Sequence, residues 1–217
     1  MSQASTITYT PPVAQQRVGQ LLSYLLHPLF LPLLMGWWLL YQHPVYPLLA
    51  NAEQRIRWVA MLGVVTLFLP AFVVFLLWRL QFISNVYLRS QRERIIPLNV
   101  CILFYFWAYY VLRNLEGVPP ALVQWSLGVF IASAAALFTN IFFKISLHTL
   151  GFGGLVGFVA WQTATDAHWP PALLPWVLIV AGLAGTARLA CQAHKPGEVY
   201  AGYLAGVICQ VAAGLAS

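Results

Sequence analysis

Ala187–Gly206 reads ARLACQAHKPGEVYAGYLAG, and the nature of the whole chain turns on it. Two strongly apolar segments meet there at a short polar knot holding Arg188, His194 and Glu198. A guanidinium, an imidazole and a carboxylate at a membrane boundary are costly to place and rarely idle. Pro196 suits the first turn of a helix, where its missing N–H costs nothing. A helix is therefore predicted to start near Lys195–Gly197, with Glu198 in its first turn and His194 just outside it. Glu198 can then reach back to one ring nitrogen of His194 and leave the other free to act as a nucleophile. Arg188 closes the preceding helix and faces the same pocket, with a guanidinium shaped to hold an oxyanion bidentately.

The composition around this knot belongs to a membrane. The chain has 217 residues, 61% hydrophobic and only 7% charged, a balance that no soluble fold needs. The expected architecture is all-α: a polytopic transmembrane bundle of six to seven helices. Spans are predicted at about Leu21–Tyr41, Trp58–Leu80, Ile95–Leu112, Leu122–Phe143, Thr149–Thr165, Ala172–Ala190 and Val199–Ala216. Pro28 and Pro32 interrupt the first, which reads as kinked or re-entrant. Residues 1–20 form a polar N-terminal tail, disordered or lying on the surface, and residues 21–217 one transmembrane domain. The loops are too short for a second. Trp37, Trp38, Trp58, Trp125, Trp169 and Trp176 fall near predicted ends, where an interfacial belt would put them. Cys101, Cys191 and Cys209 are isolated and read as small packing residues.

Two further polar clusters break the pattern. Tyr87–Pro97 reads YLRSQRERIIP, and Lys144–Gly151 reads KISLHTLG. Two helices separate the first from the second, and two more separate the second from His194. An even number of crossings returns the chain to the same side, so all three clusters open on one face. Together they supply an oxyanion site. Arg94, Arg188 and Arg92 would neutralise non-bridging phosphate oxygens, and Ser146 would donate a further hydrogen bond. His194 would attack phosphorus, and His148 would protonate the leaving alkoxide and later help activate water. Metal catalysis is not expected, because only Glu93 and Glu198 of the five carboxylates fall on this face.

At this point the chain resembles the type 2 phosphatidic acid phosphatases. That family carries K-x6-R-P, P-S-G-H and S-R-x5-H-x3-D, in that order between membrane helices. Here they read R-x-R-I-I-P at Arg92–Pro97, I-S-L-H at Ile145–His148 and A-R-x5-H-x3-E at Ala187–Glu198. The motif-bearing core covers about residues 87–217, and the first two helices are unmatched. Tyr87 stands where the first-motif lysine would fall, so Arg89 or Arg92 must substitute. Pro97 lies two residues late, Leu147 replaces a glycine, Ala187 a serine and Glu198 an aspartate. The resemblance implies a metal-independent lipid phosphatase working through a phosphohistidine, with no cofactor, on a lipid phosphomonoester or diphosphate. Phosphatidic acid, phosphatidylglycerol phosphate and isoprenyl diphosphates are the implied substrate classes. Lipid phosphotransfer is the close variant, and a non-catalytic lipid-binding or transport protein the alternative from another class.

The plainer roles are helix-end salt bridges for Arg188, His194 and Glu198, a positive-inside loop for the arginines, and an N-cap for Ser146. Gly153 and Gly157, like Gly202 and Gly206, fit close-packing surfaces. His27, His43 and His168 read as interfacial or packing histidines, and Asn140 as an interhelical hydrogen-bonder. The net charge of +6 points to lipid headgroups rather than nucleic acid. The expected location is a bacterial inner membrane. The positive-inside count places the motif face in the cytoplasm, whereas the resemblance implies the extracytoplasmic side, so the face stays open, as does the oligomeric state.

Overall fold

The computed structural model describes residues 12–86, 88 and 90–217, and among these all regular structure is helical. The helices are α1 (Val13–Leu25), α2 (Leu31–Tyr41), α3 (Ala52–Leu62), α4 (Leu69–Arg79), α5 (Gln91–Asn114), α6 (Pro120–Phe142), α7 (Leu147–Thr165), α8 (Leu173–Ala190) and α9 (Pro196–Ala216). Six stretches are long and apolar enough to cross a membrane: Val13–Tyr41, Ala52–Arg79, α5, α6, α8 and α9. The chain is thus a helical membrane protein by length and composition. The seventh expected span, α7, is a different case. Its 19 residues cover about 28 Å. Glycines, His148, Thr149 and Gln162 lower its apolarity, and it packs inside the bundle against α6, α8 and α9. Outward-facing Leu103, Ile141, Leu204 and Ile208 are exposed, as a lipid-facing surface requires.

Local chemistry sets the helix ends. Asn51 and Gln54 form a reciprocal capping box that starts α3, and Ser90 with Glu93 does the same for α5. These helices accordingly begin several residues before the predicted Trp58 and Ile95. Between α3 and α4 the helix widens into a π-turn at Gly63–Phe68. Pro70 has no N–H for the carbonyl of Thr66, and the Thr66 hydroxyl bonds Leu62 O at 2.7 Å. The predicted interruption of the first span holds, since the chain breaks at Leu26–Phe30, where His27 Nδ1 caps a short 3₁₀ turn.

Two expectations are corrected. Val13–Gln20, assigned to a tail ending at residue 20, is helical, and Gly19 packs within α1 against Ala187, Ala190 and Cys191 of α8. The tail's first eleven residues lie outside the described residues. The tryptophan belt is only partly a belt. Trp37 and Trp176 are exposed, but Trp58, Trp125 and Trp169 are buried in the main core with Leu39, Leu62, Leu122 and Phe158. At these positions the indoles fill the space between helices, and burying them outweighs an interfacial seat.

The glycines of α7 and α9 interlock. A Cβ at Gly202 would lie 2.1 Å from Thr149 Oγ1, and one at Gly206 would lie 2.1 Å from Leu150 O. A Cβ at Gly153 would fall 2.3 Å from Tyr203 O. Both GxxxG stretches therefore serve close backbone contact, as their spacing suggested. That contact draws the start of α7 against the start of α9. Ser146 N–H donates to Glu198 O at 3.3 Å, and the second and third motifs become neighbours.

Candidate functional site

The site begins with how α8 ends. Ala193 N–H bonds Arg188 O at 3.2 Å and Gln192 N–H bonds Leu189 O at 2.9 Å, the paired bonds of a Schellman turn. The turn needs a left-handed residue, and Gln192 supplies it at φ +52°. The chain reverses there and carries His194 back over the helix end. Pro196 then opens α9, with Glu198 in its first turn. His194 Nδ1 lies 2.7 Å from Glu198 Oε2, which also accepts the Lys195 N–H at 3.4 Å. A carboxylate can only accept, so the neutral ring carries its proton on Nδ1 and its lone pair on Nε2, which has no hydrogen-bond partner among the described residues. Burial pushes the His194 imidazolium below its ordinary range. The Glu198 contact opposes that shift, and the charges of Arg94, Arg188 and Lys144 add to it.

Two arginines face this dyad. Arg94 is buried in the first turn of α5, donating from Nη1 to Ile145 O at 2.9 Å and from Nε to Leu88 O at 3.0 Å. Arg188 donates from Nη1 to Ser23 Oγ at 3.0 Å, while its Nε–H is buried without a partner. Arg94 lies within electrostatic range of both Arg188 and Glu198. Among the described residues neither guanidinium forms an ion pair. Arg92 is a correction. It is exposed. Two residues along a helix rotate by about 200°, so Arg92 and Arg94 leave α5 on opposite sides.

The second motif divides. His148 Nε2 lies 3.0 Å from Ser23 O, and since a carbonyl only accepts, Nε2 carries a proton and Nδ1 is the atom left for chemistry. His148 is within electrostatic range of Arg188 and His194. Ser146 is a second correction. It is wholly buried at the N-cap of α7, where its Oγ accepts the Thr149 N–H at 3.5 Å. The capping role is the one the geometry shows. Leu147 packs against a small core that includes Leu98, Ile145 and Leu150.

Two residues that the motifs do not include join the cluster, Ser23 of α1 and His27 just beyond its end. Ser23 holds Arg188 through its hydroxyl and His148 through its carbonyl. The His27 ring stands edge-on to His148 with centroids 5.2 Å apart. The spacing was present in the sequence, since Gly19, Ser23 and His27 recur every four residues, but Gln15, Gln16, Arg17 and Gln20 on the same segment hide it from any reading of hydropathy. Tyr87 and Arg89, weighed as first-motif partners, lie outside the described residues.

Among the described residues no three His, Cys, Asp or Glu side chains converge as a metal would require. No protein-family model matches the chain, and neither does any curated protein or solved structure.

Proposed function

We propose that this chain is an integral-membrane lipid phosphatase acting on a phosphomonoester or diphosphate headgroup, independent of metal and of any cofactor, through a phosphohistidine on His194. One observation carries the proposal: two guanidiniums without a carboxylate partner face a histidine whose tautomer is fixed by Glu198. Charge taken out of water demands a counter-charge. A phosphoryl group with two or three anionic oxygens answers both arginines at once, and the unpartnered Arg188 Nε–H is one of the donors it would engage.

In the first step the His194 Nε2 lone pair attacks phosphorus, the bond to the ester oxygen breaks, and that oxygen takes a proton from Nδ1 of His148. Burial and Arg188 hold the His148 imidazolium below its ordinary range, so the ring takes up this second proton together with the anionic headgroup. The lipid alcohol, or lipid monophosphate from a diphosphate, then leaves. In the second step water attacks the same phosphorus, gives its proton to the His148 Nδ1 lone pair, and the P–N bond breaks to release phosphate and neutral His194. An alcohol in place of water gives the phosphotransfer variant. Glu198 stabilises the positive charge that builds on His194 during attack.

The test is phosphate release by the purified protein in detergent with EDTA present. The substrates are phosphatidic acid, phosphatidylglycerol phosphate and an isoprenyl diphosphate, and His194→Ala runs alongside. Wild type is expected to release phosphate, to carry an acid-labile phosphoryl label during turnover, and to lose both on substitution, with rate falling on the order of 10³-fold or more. Headgroup binding without release by wild type would move the protein to the non-catalytic lipid-binding class. Release that returns only with added metal would overturn the mechanism.

A further inference from the structure

A second polar chamber lies at the other end of the bundle, outside everything the phosphatase reading uses. A cavity of about 450 Å³ opens between the α2–α3 connection and the ends of α6, α7 and α9. That volume falls within the ~300–1,000 Å³ of small-molecule sites. Gln124, His43, Asp166, Gln162 and Trp161 are among its walls.

The chamber's polar groups are fixed, and some are unanswered. His43 is 2% exposed and stacked on the Tyr46 ring at 3.8 Å. Its Nδ1 accepts the N–H groups of Val45 and Tyr46, both at 3.3 Å, which puts the ring proton on Nε2. That Nε2–H sits 3.4 Å from Asp166 Oδ2 but is not aligned to bond it, and it has no other partner among the described residues. The same carboxylate accepts the Tyr46 hydroxyl at 2.8 Å and the His168 N–H at 2.8 Å, so it is held rigidly at the rim. Deeper in, Gln162 Nε2 donates to Gln124 Oε1 at 2.8 Å. Gln124 itself is 5% exposed, and its Nε2 is buried without a partner among the described residues. A buried amide N–H₂ left without an acceptor is destabilising unless something in the cavity beside it accepts from it.

The chemistry of the walls selects the occupant. Among the described residues that line the cavity there is no Lys or Arg, and Asp166 is the one carboxylate side chain, which argues against an anion. No metal-ligating trio of side chains is present among the described residues. What remains is a carboxylate that wants a hydroxyl donor and two N–H groups that want oxygen acceptors, with Trp161, Pro120 and Ala121 offering apolar surface. Adjacent hydroxyls meet both demands, since each donates and accepts. We propose that this chamber binds a neutral polyhydroxyl group, a glycerol or hexose unit, with hydroxyls donating to Asp166 and oxygens accepting from Gln124 and His43. The unit could be free in solution or carried as the headgroup of an uncharged lipid.

The experiment uses the full chain in a polyoxyethylene detergent, because sugar detergents would compete. Methyl glucoside and glycerol are titrated as free polyols, and monoglucosyl diacylglycerol is supplied in nanodiscs as the lipid-borne form. The readouts are tryptophan fluorescence and the unfolding temperature. A saturable response is expected, weakened tenfold or more in both Gln124→Leu and Asp166→Asn. Gln124→Leu keeps the proposal testable if the rim variant folds poorly. Response to the free polyols assigns the soluble source, and response to the glucolipid alone assigns the lipid source. No saturable response to any of the three probes, a response equal in wild type and both variants, or a response to inorganic phosphate alone would overturn it.

Discussion

The two ends of this bundle are built from the same residue types and do opposite things with them. Among the described residues, seven of the ten lysines and arginines and two of the five carboxylates lie at the end holding His194, while the other end carries three of each. The net positive charge of the described residues therefore sits at one face. Each end has a histidine beside a carboxylate. His194 gives Nδ1 to Glu198 and keeps Nε2 open among cations, whereas His43 is clamped by two backbone N–H groups on one side and wrapped by Tyr46, Trp38 and Trp169. A histidine–carboxylate pair is thus no signature of catalysis on its own. What distinguishes the pairs is that the unpartnered Nε2 carries a lone pair in His194 and a proton in His43, and that guanidiniums surround only His194.

The sharpest way to break this contrast is Glu198→Gln. It keeps the shape but replaces an acceptor-only carboxylate by a neutral amide that can also donate, so the His194 tautomer is no longer fixed, and phosphate release is expected to fall on the order of 10³ to 10⁴-fold. The pH profile carries the sign. Burial holds the His194 imidazolium down and Glu198 partly restores it, so removing Glu198 moves the acid limb of activity to still lower pH. For stability the direction is the same at both ends, because the His43 imidazolium is also held down by burial. A lowered histidine pKa means the unfolded chain takes up the proton first. That contribution is fully present above the unfolded value of about 6.5 and is lost as pH falls toward the folded one. A limb that moved up in Glu198→Gln would contradict the assignment.

Arg188→Lys comes next. A lysine keeps the charge but loses the planar fork, and kcat/KM is expected to drop about 10²-fold, with Ser23→Ala giving a smaller loss of the same kind. At the other end, Tyr46→Phe removes the hydroxyl donated to Asp166. Burial, and then that bond to the carboxylate, raise the Tyr46 phenol above its ordinary range, so the proton stays and the hydroxyl donates throughout the neutral range. Thermal unfolding is expected to register a loss of about 1.5–3 kcal/mol, the worth of a hydrogen bond to a charged group.

Why some of this was legible in the sequence and some was not follows from particular residues. The apolar runs located the spans, and the even number of crossings between motifs placed Arg94, His148 and His194 at one end, where the contacts of Arg94 with Ile145 and of Ser146 with Glu198 now put them. Pro196 gave the start of α9 and with it the His194–Glu198 bond. Helix starts at Ala52 and Gln91 were missed although N-x-x-Q and S-x-x-E are capping patterns, because hydropathy was allowed to set the boundaries. Arg92 was misplaced because proximity in sequence was read as proximity in space. The contribution of α1 was hidden because its polar residues, Gln15 to Gln20, looked like a tail. Tertiary packing on α8 through Gly19 and Ser23 decides that segment, and no local pattern of hydropathy shows it.

The smallest expected effect tests how the end holding His194 is positioned. Gln192 occupies the left-handed position of the turn that delivers His194, at φ +52°. For a residue with a Cβ that conformation costs roughly 1–2 kcal/mol, which the surrounding hydrogen bonds must sustain. Gln192→Gly removes that strain in the folded state but makes the unfolded chain freer by about 0.5–1 kcal/mol, so the net gain in stability is expected at no more than about 1 kcal/mol. If the turn is a passive connection, the variant should unfold slightly later and release phosphate at an unchanged rate. If instead the strained turn presses His194 against Glu198, relaxing it should widen the range of ring positions, and kcat should fall while stability rises. Opposite signs in the two measurements would show that the fold holds strain at the end where phosphoryl transfer is proposed. Among the described residues the aromatic end has no left-handed residue with a Cβ, and its histidine is held by stacking.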